Sequence, residues 1–358
     1  MTSEAPIQAA PFPGPRRRQS VAQLFTEARA RVESAHRAVI EVLPAEIRHV
    51  AGYHIGWWDA AGRPSDRMGK AVRPTLTLAS ARAAGPISNA AEAGRAAVAA
   101  AVAVELVHDF SLLHDDVMDK DLSRRHRTSA WAVFGTSRAI LVGDVLLAAA
   151  LQVMAADGTA GARGMAVLTA AVQDLAAGQS ADLTFGERGE VSLLECLAMA
   201  EGKTGALLGA ACQLGAMAAG ANDDVAACYR DFGRQLGLAF QLVDDALGIW
   251  GDPKVTGKPV GSDLRARKKS LPVVAALASG TAAGKHLAWL YRREEALDQQ
   301  AVAHATRLIE QAGGRDWTAA ETRRRTEAAL AALERAAPDP AAESDLRTLA
   351  ILMTSRDH

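Results

Sequence analysis

The chain has 358 residues, 49% hydrophobic and 23% charged, a globular composition that excludes disorder for the chain as a whole and supplies a sizeable core. Its 40 basic and 41 acidic side chains leave a formal net charge of −1, so no overall cationic field draws it onto nucleic acid or an anionic membrane. At about 150 residues per domain the length allows two domains or one large helical core.

Residues 1–20 are rich in Ala, Pro and Arg and lack the ordered charged, apolar and cleavage regions of a signal peptide. They are expected to form a disordered tail ahead of a single all-α domain over 21–358. The segment GKAVRP follows, with Gly69, Lys70 and Arg73. Between Pro86 and Pro253 lie 166 positions without proline, loaded with Ala, Leu, Met, Gln and Glu in broad apolar faces and without period-2 alternation. Consecutive long helices are predicted there, with turns at 157–164, 186–189 and 220–224 where Gly, Asp and Asn cluster. Thr204 to Asn222 is free of charge for nineteen residues, but its four glycines with Gln213 and Asn222 predict a buried soluble helix and no membrane span. Cys196, Cys212 and Cys228 lie in Ala-rich sequence with no CxxC pattern and read as reduced core residues of a cytoplasmic protein. Residues 252–263, with two Pro and two Gly, read as a loop, and 282–358 as further helices broken near Gly313 and Pro338.

Two acidic clusters end apolar helical runs. In LLHDDVMDKD, Asp115 and Asp119 share a helix face at i and i+4, with Asp116 beside them. Three carboxylates so close repel one another unless a cation neutralises them, and hard oxygen donors suit Mg²⁺ with substrate phosphate. A lone DDxxD reads better as a helix cap or a solvated patch. The second pair, Asp244 and Asp245 in FQLVDDALG, shifts the reading toward facing walls of one cavity holding several metal ions. Basic residues stand in rigid local settings at Lys70, Arg73, Arg124, Arg125, Lys203, Lys258 and Lys268. Arg offers phosphate a bidentate fork and Lys a mobile point charge. Together these residues describe one diphosphate bound through Mg²⁺ and a second held directly by cations.

In these motifs and their order, from Gly69 to Pro272, the sequence resembles the trans-isoprenyl diphosphate synthases, the polyprenyl synthetase family of farnesyl and geranylgeranyl diphosphate synthases. The resemblance implies one large helical bundle around a deep central cavity, a homodimer, and isopentenyl and allylic diphosphates as substrates. It implies that Lys70, Arg73 and His108 bind isopentenyl diphosphate, with Arg125, and that Arg124 meets the allylic diphosphate. GQSAD supplies Gln179 and Asp182, EGKTG supplies Lys203 and Thr204, FQLVDD supplies Gln241 beside Asp244 and Asp245, and the following loop supplies Lys258 and Lys268. Three Mg²⁺ ions are expected, on Asp115, Asp119 and Asp244. His108 precedes Asp115 by two turns, about 10 Å along the same face, so one helix can serve both substrates.

The chain departs from the family's pattern in three places: Gly248 stands where the second motif usually has a third Asp, His126 where Gly usually follows the Arg pair, and Met68 where a second Gly often precedes the Lys. Terpene cyclases share the implied fold and metal-dependent ionisation, but their Asn, Ser and Glu motif is not found, and they need no isopentenyl site. A non-catalytic subunit of a heteromeric synthase would show eroded motifs, of which Gly248 is the one sign. The single aromatic Phe110, five residues before Asp115, resembles the geranylgeranyl pattern. As a cavity floor it predicts a twenty-carbon main product, with fifteen carbons next.

Overall fold

The computed structural model describes residues 20–84, 90–156, 158–252, 261–293, 295 and 297–355. The fold is all-α, with 79% of residues helical and almost no strand. In chain order the helices run α1 (Val21–Glu41), α2 (Ala45–Ile55), α3 (Val72–Ala83), α4 (Ala90–Met118), α5 (Ala130–Phe134), α6 (Thr136–Ala155), α7 (Gly158–Glu187), α8 (Leu193–Ala200), a π-helical turn (Glu201–Gly205), α9 (Ala206–Ala218) and α10 (Asp223–Trp250). Further helices follow from Ser262 to Thr354. The chain divides into two compact units: Met1–Val172, Leu207–Asp231 and Ala332–Leu349 form the first, and Gln173–Ala206, Phe232–Ala331 and Ala350–His358 the second.

Local sequence sets the helix ends. Ser20 and Gln23 form a reciprocal capping box at the start of α1, as Ser192 and Glu195 do for α8. Helix α2 stops at Gly56, whose φ of 108° is open to glycine at little cost. In the first unit α4 is the core helix: Ala97, Val98, Ala101, Val102, Leu106 and Val107 are fully buried, and its short alanines let α3 and α6 pack closely on it. Helices α4 and α6 are each long and apolar enough to cross a membrane by length and composition. Most of α4, however, is buried within the unit, and it carries Glu105, His108 and Asp109 there. In the second unit Phe185, Cys196, Met199, Leu238, Leu242 and Leu271 form one apolar cluster, and Ile249, Leu264, Leu287, Leu308 and Ile309 belong to another. All three cysteines are free; Cys196 and Cys212 are buried, and burial pushes the Cys212 thiol up to about 12.

Two expectations need correction. The break expected at 157–164 is confined to its start: α6 ends at Ala155 and α7 begins at Gly158, residue 157 lies outside the described residues, and Gly161 and Gly164 sit inside α7. These glycines serve packing, because a methyl at Gly164 would run into the Met154 side chain and one at Gly161 would come within 3.0 Å of the Met154 carbonyl oxygen. The proline-free region is also not wholly helical, since a short hairpin of β1 (Ser123–Arg124) and β2 (Arg127–Thr128) follows α4. Of the expected loop 252–263, residues 253–260 lie outside the described residues.

Candidate active site

The hairpin is joined by two residues, Arg125 at φ 51° and His126 at φ 58°, both left-handed as a two-residue turn with strand-matching twist requires. Successive residues on such a turn point apart, and the two arginines do so. Arg124 Nε donates to Asp116 Oδ1 at 2.6 Å, and its Nη2 lies 3.6 Å from Asp115 Oδ2. The Arg125 guanidinium instead packs on Gly69, where a methyl would come within 2.8 Å of it. The hairpin is anchored to α2: Arg127 Nη2 donates to the His54 carbonyl at 2.9 Å, and the Tyr53 hydroxyl donates to the Thr128 carbonyl at 2.7 Å.

The three acids of the first motif therefore differ in setting. Asp116 is 1% exposed, and burial lifts its carboxyl to about 6 against the pull of Arg124. Asp115 is 19% exposed, and Asp119, just past the end of α4, is exposed. Phe110 is half-buried, its ring edge-on to His114 at 4.8 Å, and His114 packs into the space left by Gly143.

Lys70 is exposed at the foot of α3, while Arg73 and His108 are half-buried on α3 and α4. Burial and the neighbouring Arg73, Arg125 and Arg124 hold His108 well below its usual pKa, so its imidazole is neutral at pH 7. The sequence reading missed the acids beneath these groups. Glu105 and Asp109, one turn apart on α4, face the charges of Arg73 and Arg125, and burial raises both carboxyls. Asp109 is 1% exposed, with His36 Nε2 at 3.7 Å and His54 Nε2 at 3.8 Å. A shallow cleft opens here, lined among others by Arg29, His36, Gly69, Asp109 and Arg125. The signal available in the sequence was the i, i+4 pair flanking His108.

In the second unit the motifs GQSAD and EGKTG meet at a glycine crossing. A methyl at Gly178 would run into the Lys203 amide nitrogen and lie 2.9 Å from the Met199 carbonyl oxygen; one at Gly202 would lie 2.7 Å from the Asp174 carbonyl oxygen. The π-helical turn adds a residue to the ladder at this point, a device frequent at functional sites. Lys203 Nζ donates to Asp182 Oδ2 at 2.7 Å, and the Thr204 hydroxyl donates to Gln241 Oε1 at 2.7 Å. Gln241 Nε2 then donates to Asp245 Oδ1 at 2.8 Å, while the Leu271 amide donates to Oδ2 at 2.9 Å. Both oxygens of buried Asp245 are thus engaged, and burial raises its carboxyl to about 6 despite Lys268. Asp244 is exposed, Gln179 is buried and Lys268 half-buried. Lys258 lies outside the described residues.

Each motif therefore has one inward carboxylate braced by protein, Asp116 or Asp245, and outward ones, Asp115 and Asp119 or Asp244. Carboxylates that face water and are backed by protein fit a hydrated Mg²⁺, which keeps waters and takes one or two carboxylates.

Comparison with known proteins agrees with this chemistry. The family model described as polyprenyl synthetase matches residues 60–309. The chain is 46% identical over 293 residues to a (2E,6E)-farnesyl diphosphate synthase of Mycobacterium tuberculosis, covering 80% of each chain. It is 44% identical over 325 residues to a geranylgeranyl diphosphate synthase of the same species, covering 90% of each. The crystal structure of a polyprenyl synthetase from Streptomyces coelicolor aligns with a TM-score of 0.88 and 44% identity, over 93% of this chain and 99% of that one. With so long a match to sequence and fold alike, the chain belongs to the polyprenyl synthetase family.

Proposed function

We propose that this chain is a short-chain trans-prenyltransferase that joins isopentenyl diphosphate to an allylic diphosphate. The observation that carries the reading is the split of two consecutive arginines, Arg124 onto the first acidic motif and Arg125 against the GKAVRP segment. One diphosphate has an acidic, metal-using site and the other a cationic site that needs no metal. The allylic diphosphate is assigned to the first, and Asp115, Asp119 and Asp244 would hold Mg²⁺, three ions by family resemblance. When bound, the metal supplies Lewis-acid neutralisation of the departing diphosphate.

The chain's own residues do the rest. Arg124 and Lys203 place positive charge where the leaving group's charge grows, with Lys203 aimed by Asp182. Lys258 joins them on resemblance alone. Thr204, Gln241 and Lys268 brace Asp245 and the loop behind it. Lys70, Arg73, His108 and Arg125 hold isopentenyl diphosphate, and the neutral His108 can donate one hydrogen bond without adding charge. Helix α4 supplies an apolar wall that keeps water from the cation formed as the C–O bond breaks. No side-chain nucleophile is required, and the released diphosphate accepts the final proton.

The test is incubation of the protein with Mg²⁺, isopentenyl diphosphate and each allylic starter, with products sorted by length. Linear products longer than the starter are expected. Cyclised products formed without isopentenyl diphosphate would make the chain a terpene cyclase, and no product from any starter would make it a non-catalytic subunit. Lys70→Ala is expected to raise the KM for isopentenyl diphosphate about tenfold or more with little change for the allylic substrate, through loss of a charge-assisted contact of about 1.5–3 kcal/mol. Equal effects on both would mean the two sites are misassigned.

Similar identity to a fifteen-carbon and a twenty-carbon synthase leaves product length to the residues. Phe110 lies about 7.5 Å along α4 from Asp115, and its ring is braced by His114, which makes it a firm floor. A twenty-carbon main product follows, and Phe110→Ala is expected to shift products to longer chains; an unchanged distribution would assign the floor elsewhere. A homodimer is proposed through α6, an apolar helix with Leu141 57% and Ile140 39% exposed. We assign the enzyme to the cytoplasm, as one catalytic domain over 21–358; residues 1–19 of the expected tail lie outside the described residues.

A further inference from the structure

Lys70 stands at the end of a stretch of backbone without regular structure. Residues 65–70 run from the bridge at Pro64 to the foot of α3, and Ala71, the cap of that helix, is left-handed at φ 53°. An alanine in that conformation crowds its Cβ against the following carbonyl, so it persists only where the surroundings hold it. The near end of the stretch is held at the end of α2: the Ser65 amide donates to the Trp57 carbonyl at 2.8 Å and the Arg67 amide to the Gly56 carbonyl at 3.2 Å. The far end is held from α1, where Arg29 Nη2 donates to the Gly69 carbonyl at 3.0 Å.

Gly69 is thus gripped on two sides. Arg29 takes its carbonyl, and the Arg125 guanidinium lies over its α-carbon, where a methyl would come within 2.8 Å. The Gly69 carbonyl and the Lys70 amide belong to one planar peptide unit, so a bond that fixes the carbonyl also fixes the root of the Lys70 side chain. Stability explains little of this. The Arg29 side chain is 41% exposed, and its other terminal nitrogen stands 4.0 Å from Asp66 Oδ1, a carboxylate 82% exposed, a pairing worth little in water. Both contacts fall on the same stretch, which a planar guanidinium with several donors can orient from one side chain.

We propose that Arg29 is a positioning residue of the isopentenyl diphosphate site and sets Lys70 through the Gly69 carbonyl. The assignment rests on the prenyltransferase reading above. It brings into that site a helix, α1, that lies ahead of every motif in the chain.

The test uses the full chain and two measurements: calorimetric binding of isopentenyl diphosphate without Mg²⁺, and steady-state kinetics with Mg²⁺ and an allylic starter. Arg29→Ala is expected to weaken isopentenyl diphosphate binding and raise its KM by about tenfold, with kcat, the allylic KM and the melting temperature close to wild type. If that variant is unstable, Arg29→Gln, whose side chain falls short of the carbonyl, takes its place. In a Lys70→Ala background either substitution should add less than about twofold, because the group that Arg29 sets is already gone. Wild-type affinity in the single variant overturns the proposal, as does an equal rise in both KM values. Full multiplication of the two losses in the double variant overturns it too, by making Arg29 an independent contact. Wild-type protein that binds isopentenyl diphosphate yet forms no product would overturn the prenyltransferase reading instead, and the binding data would still decide the role of Arg29.

Discussion

Asp115→Ala is expected to lower turnover by about 10³-fold or more while helical content and melting temperature stay close to wild type, and Asp244→Ala should do the same. A loss of that size corresponds to about 4 kcal/mol of transition-state stabilisation, within what a metal's carboxylate ligand can account for. Neither side chain holds the fold: Asp244 is exposed and Asp115 partly so, and neither belongs to an apolar cluster. The inward acids behave otherwise. Asp245 ties Gln241 to the Leu271 amide, so Asp245→Ala strands a buried amide and costs stability as well as rate. Steady-state kinetics with circular dichroism on the three single variants separates the groups. Rates within tenfold of wild type in Asp115→Ala would remove the metal assignment.

Gly178→Ala should be the most damaging single methyl in the second unit. The added carbon meets three backbone atoms, of Lys203, Gly202 and Met199, and backbone cannot rotate aside as a side chain can. Overpacking of this kind costs about 1–3 kcal/mol. Relief by sliding the π-helical turn would carry Lys203 with it, and displacement of a charge-stabilising group by about 1 Å costs about 10²-fold in rate. Thermal melting and kcat are therefore expected to fall together. A variant that melts lower but turns over normally would show that Lys203 is positioned by Asp182 alone.

The helical architecture was legible because proline is absent where helices must be long, and the site motifs because acids and bases at fixed spacing have few uses in a core. What escaped the sequence depends on contacts distant along the chain. The hairpin carries SRRHRT, polar throughout, so no alternation marks it, and only the left-handed Arg125 and His126 reveal the turn. Asp116 and Asp245 read as members of equal clusters, yet their partners stand 8 and 26 residues away and turn them inward. Gly161 and Gly164 look like a turn because glycine for packing and glycine for bending are the same letter. Glu105 and Asp109 pass for surface charge until Arg73 and Arg125 are placed above them.

The six-residue hairpin has a thermodynamic meaning beyond the contacts it makes. On the proposed assignment each of its two arginines serves a different diphosphate, and one backbone turn carries both. Two contacts to α2 already hold that turn, so neither substrate bears the cost of ordering it. Both guanidiniums are set in place in advance, and each site is spared part of the entropy of immobilising a long side chain.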